Sequence, residues 1–195
     1  MEAVLVRHGE TVWSRDGRHT GRTDIPLTDV GRRQAESLED ALGEWSRPRV
    51  LTSPLRRALD TCRLGGFGDR AELSEGLLEW DYGEYEGLTT PQIRELRPGW
   101  DIWRDGCPGG ESAADVGARV DPLADELRAA EGDVALFAHG HVLRVLAARW
   151  IELPPEAGAR LWLATATISV LGFERDCRGP ALECSRSVVA SAACV

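Results

Sequence analysis

Two short apolar segments from distant parts of the chain each end in a histidine followed by a glycine. Residues 3–6 lead into Arg7-His8-Gly9, and residues 134–138 lead into His139-Gly140. Apolar runs of this length are typical of buried parallel strands, whose carboxyl ends form the edge where open α/β sheets bind ligands. The pattern therefore predicts that His8 and His139 reach the same edge of one sheet.

Arginine beside histidine is a pair suited to phosphate chemistry. The Arg7 guanidinium offers a planar set of donors to an anion, and a neutral His8 imidazole offers a nucleophilic nitrogen. A single histidine after a strand is more often structural, so this pair alone leaves catalysis open. His141, just beyond Gly140, is expected to begin a helix and to face solvent.

A third junction between a strand and a helix lies at residues 51–61. Ser53 is a good N-cap, and Pro54 suits the first helical position. The two arginines that follow would then lie in the first turn, where backbone N–H groups favour anions. We expect Arg57 to lie in the pocket and Arg56 to be solvated on the surface.

An ordered set of short motifs connects these segments. It comprises Arg7-His8-Gly9-Glu10-Thr11, Thr20-Gly21-Arg22-Thr23-Asp24, Leu27-Thr28, Gly31, Ser53-Pro54 with Arg57-Ala58, Glu79 with Tyr82-Gly83, and His139-Gly140. The set resembles the histidine phosphatase superfamily, which includes the cofactor-dependent phosphoglycerate mutases, over about residues 1–174. The resemblance implies an α/β fold: a phosphoglycerate mutase-like, three-layer α/β/α sandwich with a mainly parallel central sheet.

The resemblance also implies roles for residues of this chain. His8 would be the nucleophile that forms a phosphohistidine, and Glu79 would be the proton donor. Arg7, Arg57 and His139 would hold the phosphoryl oxygens. The substrate-binding positions that it implies are Arg7, Thr20, Gly21, Arg57, Tyr82, Gly140 and Arg144. Neither a metal nor another cofactor is implied.

These groups suit phosphoryl transfer, in which two guanidinium groups and an imidazolium can offset charge on the phosphoryl oxygens. His8 must attack as a neutral imidazole. We therefore expect its other ring nitrogen to donate to a backbone carbonyl, and neighbouring cations to oppose its protonation. The apolar neighbours of Glu79 would favour the protonated carboxyl of a general acid. Asp81, Glu84 and Glu86 are its competitors.

The spacing between Glu79 and His139 bears on the choice between phosphatase and mutase. Only 60 positions separate them, whereas the mutases have a longer insertion there, so the resemblance favours a phosphatase. Residues 79–87, 102–107 and 137–141 resemble sedoheptulose-bisphosphatase-like enzymes and bacterial broad-specificity acid phosphatases. We predict a phosphomonoesterase of small phosphorylated metabolites, with sugar phosphates foremost. A cofactor-dependent phosphoglycerate mutase and a non-catalytic phospho-ligand sensor are the alternatives.

Aromatic and basic residues between the motifs are candidates for the pocket wall. Trp80, Trp100 and Trp103 could form it, although tryptophan at this density is more often core packing. Arg104 could bind a second phosphate, or it could be solvated or salt-bridged. Cys107 is expected to be a passive loop thiol.

The chain alternates strand and helix patterns, which favours an α/β sandwich. One helix is predicted to start near Thr28, and a short one follows Thr90-Pro91. The first has an apolar stripe at Ala35, Leu38, Leu42 and Trp45. A further helix opens with a capping box at Ser112 and contains Pro122, which is expected to kink or divide it.

The chain is predicted to end in one last strand and a tail. The β-branched run at 165–173 indicates the strand. We therefore expect a single histidine phosphatase domain at 1–175 and a loose tail at 176–195.

Composition limits the remaining possibilities. A length of 195 residues with 43% hydrophobic residues suits one domain, and a net charge of −9 argues against nonspecific nucleic-acid binding. No segment is typical of a membrane span or a secretory leader, so we expect a cytoplasmic protein. The five cysteines lack metal-site spacing and are expected to be reduced thiols. The expected partner is a small phosphorylated substrate, and a homodimer is left open.

Overall fold

In the part of the chain that the structure describes, six strands form one sheet. The computed structural model describes residues 1–45 and 48–173 and the strand at 180–183. The strands are β1 (Ala3–Arg7), β2 (Arg49–Thr52), β3 (Ala71–Leu73), β4 (Val134–Ala138), β5 (Ile168–Phe173) and β6 (Pro180–Glu183). Their order is β3-β2-β4-β1-β5-β6. The first four in this order pair in parallel, whereas β5 and β6 are antiparallel to their neighbours.

Eight α-helices in the described residues connect these strands. They are α1 (Val12–Arg15), α2 (Asp29–Glu36), α3 (Leu38–Leu42), α4 (Arg56–Leu64), α5 (Thr90–Leu96), α6 (Ile102–Asp105), α7 (Ala113–Ala129) and α8 (Gly140–Trp150). Single turns of 3-10 helix lie at Gly68–Arg70, Glu75–Leu77 and Gly83–Tyr85, and a longer one lies at Pro155–Arg160.

Helices cover both faces of the sheet. Alternate residues of β1 point to opposite faces, as strand geometry requires. Val4 belongs to a core that contains Leu42 of α3, whereas Leu5 belongs to a second core that contains Val120 of α7 and Leu143 of α8. The result is the predicted three-layer α/β/α sandwich with a mainly parallel central sheet.

The predicted helices occur with altered boundaries. Thr28 caps the first of them, because its side chain accepts the Gly31 N–H. The expected helix is divided at Ser37 into α2 and α3, and three positions of its apolar stripe are buried. Its fourth position, Trp45, packs on the same core. The capping box at Ser112 is confirmed, and α7 continues through Pro122 without division.

The prediction of Ser53 as an N-cap was wrong. Helix α4 begins at Arg56 with Leu55 at the cap position. Ser53 lies three positions before the helix, and its hydroxyl oxygen lies 2.8 Å from Nε2 of His139. The expectation that Arg56 and Arg57 lie in the first turn is confirmed, since they are the first two residues of the helix.

The last strand predicted at 165–173 corresponds to β5. Residues 180–183, within the range expected to be a loose tail, form β6 and pair with β5. The rest of that range lies outside the described residues, as do Cys177, Cys184 and Cys194. Cys62 and Cys107 are buried and free. None of the helices in the described residues is long and apolar enough to cross a membrane.

Candidate active site

His8 lies directly after β1 and is buried. Its peptide N–H donates to the Ala138 carbonyl of β4 at 3.0 Å, which joins the two strand ends. In the ring, Nδ1 lies 2.7 Å from the carbonyl oxygen of Gly9. A carbonyl oxygen only accepts, so Nδ1 carries the proton and Nε2 keeps its lone pair. The predicted hydrogen bond to a backbone carbonyl is therefore confirmed.

The surroundings of His8 keep its ring neutral. Burial lowers the pKa of His8 well below its ordinary value of 6.5, and the positive charges of Arg57 and Arg7 lower it further. The hydrogen bond to Gly9 acts in the opposite direction but is the smallest of these effects. Neighbouring cations oppose protonation as expected, although burial is the larger cause.

Arg7 lies beside His8 with part of its guanidinium unpaired. Its Nη1 donates to the Leu163 carbonyl at 2.5 Å, whereas its buried Nε–H has no hydrogen-bond partner in the described part of the chain. Gly140 packs against the guanidinium, since a Cβ at that position would lie 3.3 Å from Cζ of Arg7. A buried, unpaired donor costs free energy, so Arg7 is suited to receive an anionic acceptor.

His139 lies at the N-cap of α8, and its ring is 5.2 Å from that of His8 between centroids. The prediction that both histidines reach one sheet edge is confirmed. Nδ1 of His139 accepts a hydrogen bond from Nε of Arg57 at 3.0 Å, and Nε2 lies 2.8 Å from Oγ of Ser53. A guanidinium only donates, so Nδ1 is unprotonated and the ring proton lies on Nε2.

The neutral ring of His139 differs from the imidazolium that we expected. Burial lowers the pKa of His139 well below 6.5, and the charge of Arg57 is the next cause. The sequence could not show that the arginine would donate to the histidine itself.

Arg57 lies behind the two histidines and is fully buried. Its Nη2 donates to the carbonyls of Thr20 at 3.1 Å and Gly21 at 2.9 Å, and its Nη1 donates to that of Thr23 at 3.0 Å. Arg57 therefore fixes the 20–23 loop and His139 and is not part of the cavity wall. Arg56 is exposed, as predicted.

The 20–23 loop is held from the other side by Glu86. Both carboxylate oxygens of Glu86 lie 2.9 Å from the Gly21 nitrogen and accept its N–H. A Cβ at Gly21 would lie 2.6 Å from the Trp80 carbonyl oxygen, so only glycine fits there. These contacts occupy the N–H of Gly21. Glu86 was also a competitor of Glu79 for the role of proton donor. Of the other two competitors, Asp81 pairs with Arg22 at 3.6 Å and Glu84 is exposed.

Glu79 lies against the first turn of α8. Its Oε1 accepts the backbone N–H groups of Trp80 and Val142, both at 2.9 Å. Its Oε2 accepts that of His141 at 3.1 Å. The carboxyl surroundings are thus more polar than the apolar neighbours in the sequence indicate.

One cavity of about 410 Å³ opens beside these groups. The predicted site residues that line it are Arg7, His8, Thr20, Glu79, Tyr82, Gly140 and Arg144. The other three, Gly21, Arg57 and His139, lie behind its wall. Trp100 and Trp103 line the cavity, as suggested, whereas Trp80 is completely buried.

His141 was predicted to face solvent, and this was wrong. Its ring lines the cavity, and its Nδ1 lies 2.6 Å from the hydroxyl oxygen of Tyr82. Burial lowers the pKa of His141 well below 6.5 and raises the pKa of Tyr82 well above 10. A neutral imidazole and a neutral hydroxyl therefore share this hydrogen bond. The cause is the turn of α8 around Glu79, which directs the second helical residue inward.

Sequence reasoning missed several residues of the cavity wall. His19 lies with its ring 4.8 Å from that of Tyr82 and 5.5 Å from that of Trp100, and burial lowers its pKa to about 4. Arg18, Arg94 and Trp162 also line the cavity. The only sequence signal for these residues was their residue type.

Arg104 and Cys107 were two further residues considered from the sequence. Arg104 is exposed and paired with Asp105 at 2.7 Å, so the salt-bridged alternative is confirmed and the residue lies away from the cavity. Burial raises the pKa of the Cys107 thiol to about 12, which makes it inert at neutral pH.

Arg144 lies over the ring of Trp103, with Cζ 4.6 Å from the ring centroid. Its Nε donates to the carbonyl of Gly158 at 2.9 Å.

Within the described residues, no three histidine, cysteine or acidic side chains form a cluster that could hold a metal ion.

The sequence and the fold match those of known phosphatases. The profile of the histidine phosphatase superfamily (branch 1) matches residues 3–183. An acid phosphatase of Mycobacterium tuberculosis is 49% identical over 180 residues, which cover 90% of this chain and 88% of that protein. A sedoheptulose 1,7-bisphosphatase of Saccharomyces cerevisiae is 37% identical over 182 residues, which cover 77% of this chain and 67% of that protein.

A solved structure of an open reading frame product of Mycobacterium tuberculosis superposes with a TM-score of 0.87. It is 46% identical, and the match covers 93% of this chain and 95% of that one. This chain belongs to the histidine phosphatase superfamily, branch 1. It is a phosphatase with a phosphoglycerate mutase-like fold, which confirms the resemblance found in its motifs.

Proposed function

We propose that this phosphatase hydrolyses phosphomonoesters of small metabolites, sugar phosphates foremost, through a phosphohistidine at His8. The observation that carries the proposal is the tautomer of His8. The Gly9 carbonyl holds the ring proton on Nδ1, so Nε2 keeps its lone pair beside the guanidinium of Arg7. The bisphosphatase relative from yeast supports sugar phosphates as the substrate class.

In the first step, Nε2 of His8 attacks phosphorus, and the bond from phosphorus to the leaving alcohol oxygen breaks. That oxygen takes a proton from the carboxyl of Glu79. The unpaired Nε–H of Arg7 and the fixed charge of Arg57 behind the ring stabilise the negative charge of the phosphoryl group. The products of this step are the alcohol and phosphohistidine.

In the second step, the oxygen of a water molecule attacks phosphorus while the water gives a proton to the Glu79 carboxylate. The bond from phosphorus to Nε2 breaks, inorganic phosphate leaves, and the lone pair returns to His8. Oε2 of Glu79 is the oxygen suited to carry the proton, because it accepts one backbone N–H whereas Oε1 accepts two.

The other predicted residues divide into two groups. Thr20, Tyr82, Gly140 and Arg144 line the cavity, and we assign them contacts with the substrate. Gly21, Arg57 and His139 support these contacts from behind the wall. The absence of a cofactor and the cytoplasmic location stay predictions, and a homodimer stays open.

The nucleophile is tested with His8→Asn. We expect release of phosphate from p-nitrophenyl phosphate to be abolished and no acid-labile phosphoenzyme to form, because the variant has no ring nitrogen to attack. Glu79→Gln is the companion variant. This variant should still form phosphoenzyme from the aryl phosphate, whose leaving group needs no proton. The phosphoenzyme should then be hydrolysed slowly.

Full activity of His8→Asn would overturn the assignment of the nucleophile. A folded wild-type protein that binds phosphorylated metabolites without releasing phosphate would be a sensor. Isomerisation of phosphoglycerate with little net release of phosphate would identify a mutase.

A further inference from the structure

The mouth of the cavity holds two arginines that the proposed mechanism does not use. Arg18 lies in the loop after α1, and Arg94 lies on α5. Both are exposed, and both line the same cavity as His8 and Glu79, which lie at its buried end. The cavity therefore has a guanidinium-rich mouth as well as a reactive end.

Ion pairing divides the arginines of this protein. Most of those away from the cavity pair with a carboxylate, as Arg49 does with Glu72 at 2.8 Å and Arg119 does with Glu111 at 2.9 Å. The arginines of the cavity wall pair with no carboxylate of the described residues; they are Arg7, Arg18, Arg94 and Arg144. In a chain with a net charge of −9, these groups concentrate positive potential in one cavity.

Local contacts bring Arg18 and Arg94 to the same side of the mouth. Arg18 forms a β-bridge with Thr89, the residue that caps α5. The next residue along the loop, His19, has its Nε2 3.2 Å from the hydroxyl oxygen of Thr90. Thr90 and Arg94 are four residues apart on α5, so they share one helix face, and both line the cavity.

The guanidinium of Arg94 is held in place through Nε, and its two terminal nitrogens have no hydrogen-bond partner among the described residues. Its Nε donates to the Trp100 carbonyl at 3.0 Å. The indole Nε1 of Trp100 in turn donates a hydrogen bond to the Gly106 carbonyl at 2.9 Å. The side chain of Arg18 makes one long hydrogen bond in the described part of the chain, from Nη1 to the Gly87 carbonyl at 3.5 Å. A planar pair of terminal nitrogens matches the oxygens of a phosphate.

We propose that Arg18 and Arg94 form a second anion site, which binds a distal phosphate of the substrate while the scissile phosphate lies at His8. This rests on the proposed function, because it concerns the substrate of the same cavity. The volume of about 410 Å³ lies in the range of small-molecule pockets, roughly 300–1,000 Å³, which leaves room for more than one phosphoryl group. The substrate class is a bisphosphorylated sugar or polyol.

The acidic side chain at the mouth forms no ion pair with Arg18 or Arg94. Asp101 also lines the cavity, but its carboxylate caps α6 by accepting the N–H groups of Trp103 at 3.0 Å and Arg104 at 3.4 Å. Glu79 is bound to backbone N–H groups at the buried end. The arginines of the mouth therefore keep free donors for a ligand.

The test compares kcat/KM of the wild type, Arg18→Gln and Arg94→Gln by release of inorganic phosphate. The substrates are fructose 1,6-bisphosphate, fructose 6-phosphate, 3-phosphoglycerate and p-nitrophenyl phosphate. We expect kcat/KM for the bisphosphate, relative to the aryl phosphate, to fall about tenfold in each variant, which corresponds to about 1.4 kcal/mol. Because the lost contact is remote from the reacting atoms, the fall should occur mainly in KM.

Arg104→Gln is the matched control. It removes an exposed arginine that is paired with Asp105 outside the cavity, so the ratio between bisphosphate and aryl phosphate should not change.

The outcomes separate the second site from the proposed function. A relative fall for the bisphosphate that fructose 6-phosphate does not share supports the site. A larger fall for 3-phosphoglycerate than for the bisphosphate would overturn the choice of a phosphate. An unchanged ratio in both variants, with phosphate still released, would overturn the site and leave the proposed function standing. A wild type that releases phosphate from none of the four would overturn the proposed function itself.

Discussion

The carboxyl ends of β1 and β4 carry the same His-Gly pair but hold their histidines in opposite tautomers. Nδ1 of His8 donates to a backbone carbonyl, whereas Nδ1 of His139 accepts from Arg57. Nε2 of His8 therefore has a free lone pair, and Nε2 of His139 carries a proton that Ser53 accepts. Two identical dipeptides on neighbouring parallel strands thus differ in chemistry because of the partner that each ring meets.

The difference arises from the position of the two strands in the sheet. β4 lies between β1 and β2, so the end of β2 supplies Ser53, and helix α4, which follows it, supplies Arg57. β1 lies one strand further away, and α4 reaches its end through Thr61, whose hydroxyl oxygen accepts the N–H of Gly9 at 3.0 Å. The arginine therefore acts on His139 directly and on His8 through its charge.

The largest expected difference between the two strand ends is covalent. If only His8 can attack, His139→Asn should still form an acid-labile phosphoenzyme, whereas His8→Asn should not. We expect turnover of His139→Asn to fall on the order of 10²–10³-fold, the range for removal of one group that stabilises the transition state. Acid quenching with a radiolabelled phosphomonoester measures the bound phosphoryl group. Phosphoenzyme in His8→Asn and none in His139→Asn would reverse the two roles.

A smaller effect should follow from removing the arginine that distinguishes the two ends. The charge of Arg57 lowers the pKa of both His8 and His139, so Arg57→Gln should raise both pKa values. Because His8 attacks as the neutral ring, the acidic limb of kcat/KM should move to higher pH. At neutral pH we expect a loss of about tenfold, near the value of one hydrogen bond from a charged donor.

The neighbouring arginine provides the control for this measurement. Arg56 is exposed and pairs with Asp60 at 3.2 Å, so Arg56→Gln should leave the pH profile of kcat/KM in place. An acidic limb that stays fixed in Arg57→Gln would show that burial alone keeps His8 neutral.

The sheet edge and its histidines were predictable because they depend on local patterns. An apolar run of strand length followed by His-Gly indicates where His8 and His139 lie, and the motif resemblance adds Glu79, which composition alone would leave among its acidic neighbours. The direction of His141 was not predictable in this way. It depends on Glu79 accepting the N–H groups of α8 from 62 and 63 positions earlier in the chain.

The mouth of the cavity was the least predictable part of the site. Arg18 and Arg94 lie in segments without apolar periodicity of their own, and their approach depends on the β-bridge between Arg18 and Thr89. Arg104 had the same residue type and a more suggestive sequence context, but the carboxylate of Asp105 beside it holds it at the surface. Residue type therefore identifies candidates, and only long-range contacts choose among them.

In folding, unlike in catalysis, the two strand-end histidines should behave alike. Both are neutral in the folded protein, with pKa values well below 6.5, whereas in the unfolded chain each has a value near 6.5. Below pH 6.5 the unfolded state therefore binds more protons, and the free energy of unfolding falls as pH falls. Each histidine contributes up to about 1.4 kcal/mol per pH unit to this slope.

Urea unfolding between pH 7.5 and 5 measures the slope for the wild type, His8→Asn and His139→Asn. Each variant should lose about the same share of the wild-type slope, even though His139→Asn forms phosphoenzyme and His8→Asn does not. The slope is the informative quantity, because lost hydrogen bonds lower the stability of each variant at every pH, while the acidic residues common to all three proteins contribute equally. A variant that keeps the wild-type slope would identify its histidine as charged in the folded protein, and the tautomer assigned to that strand end would then be wrong.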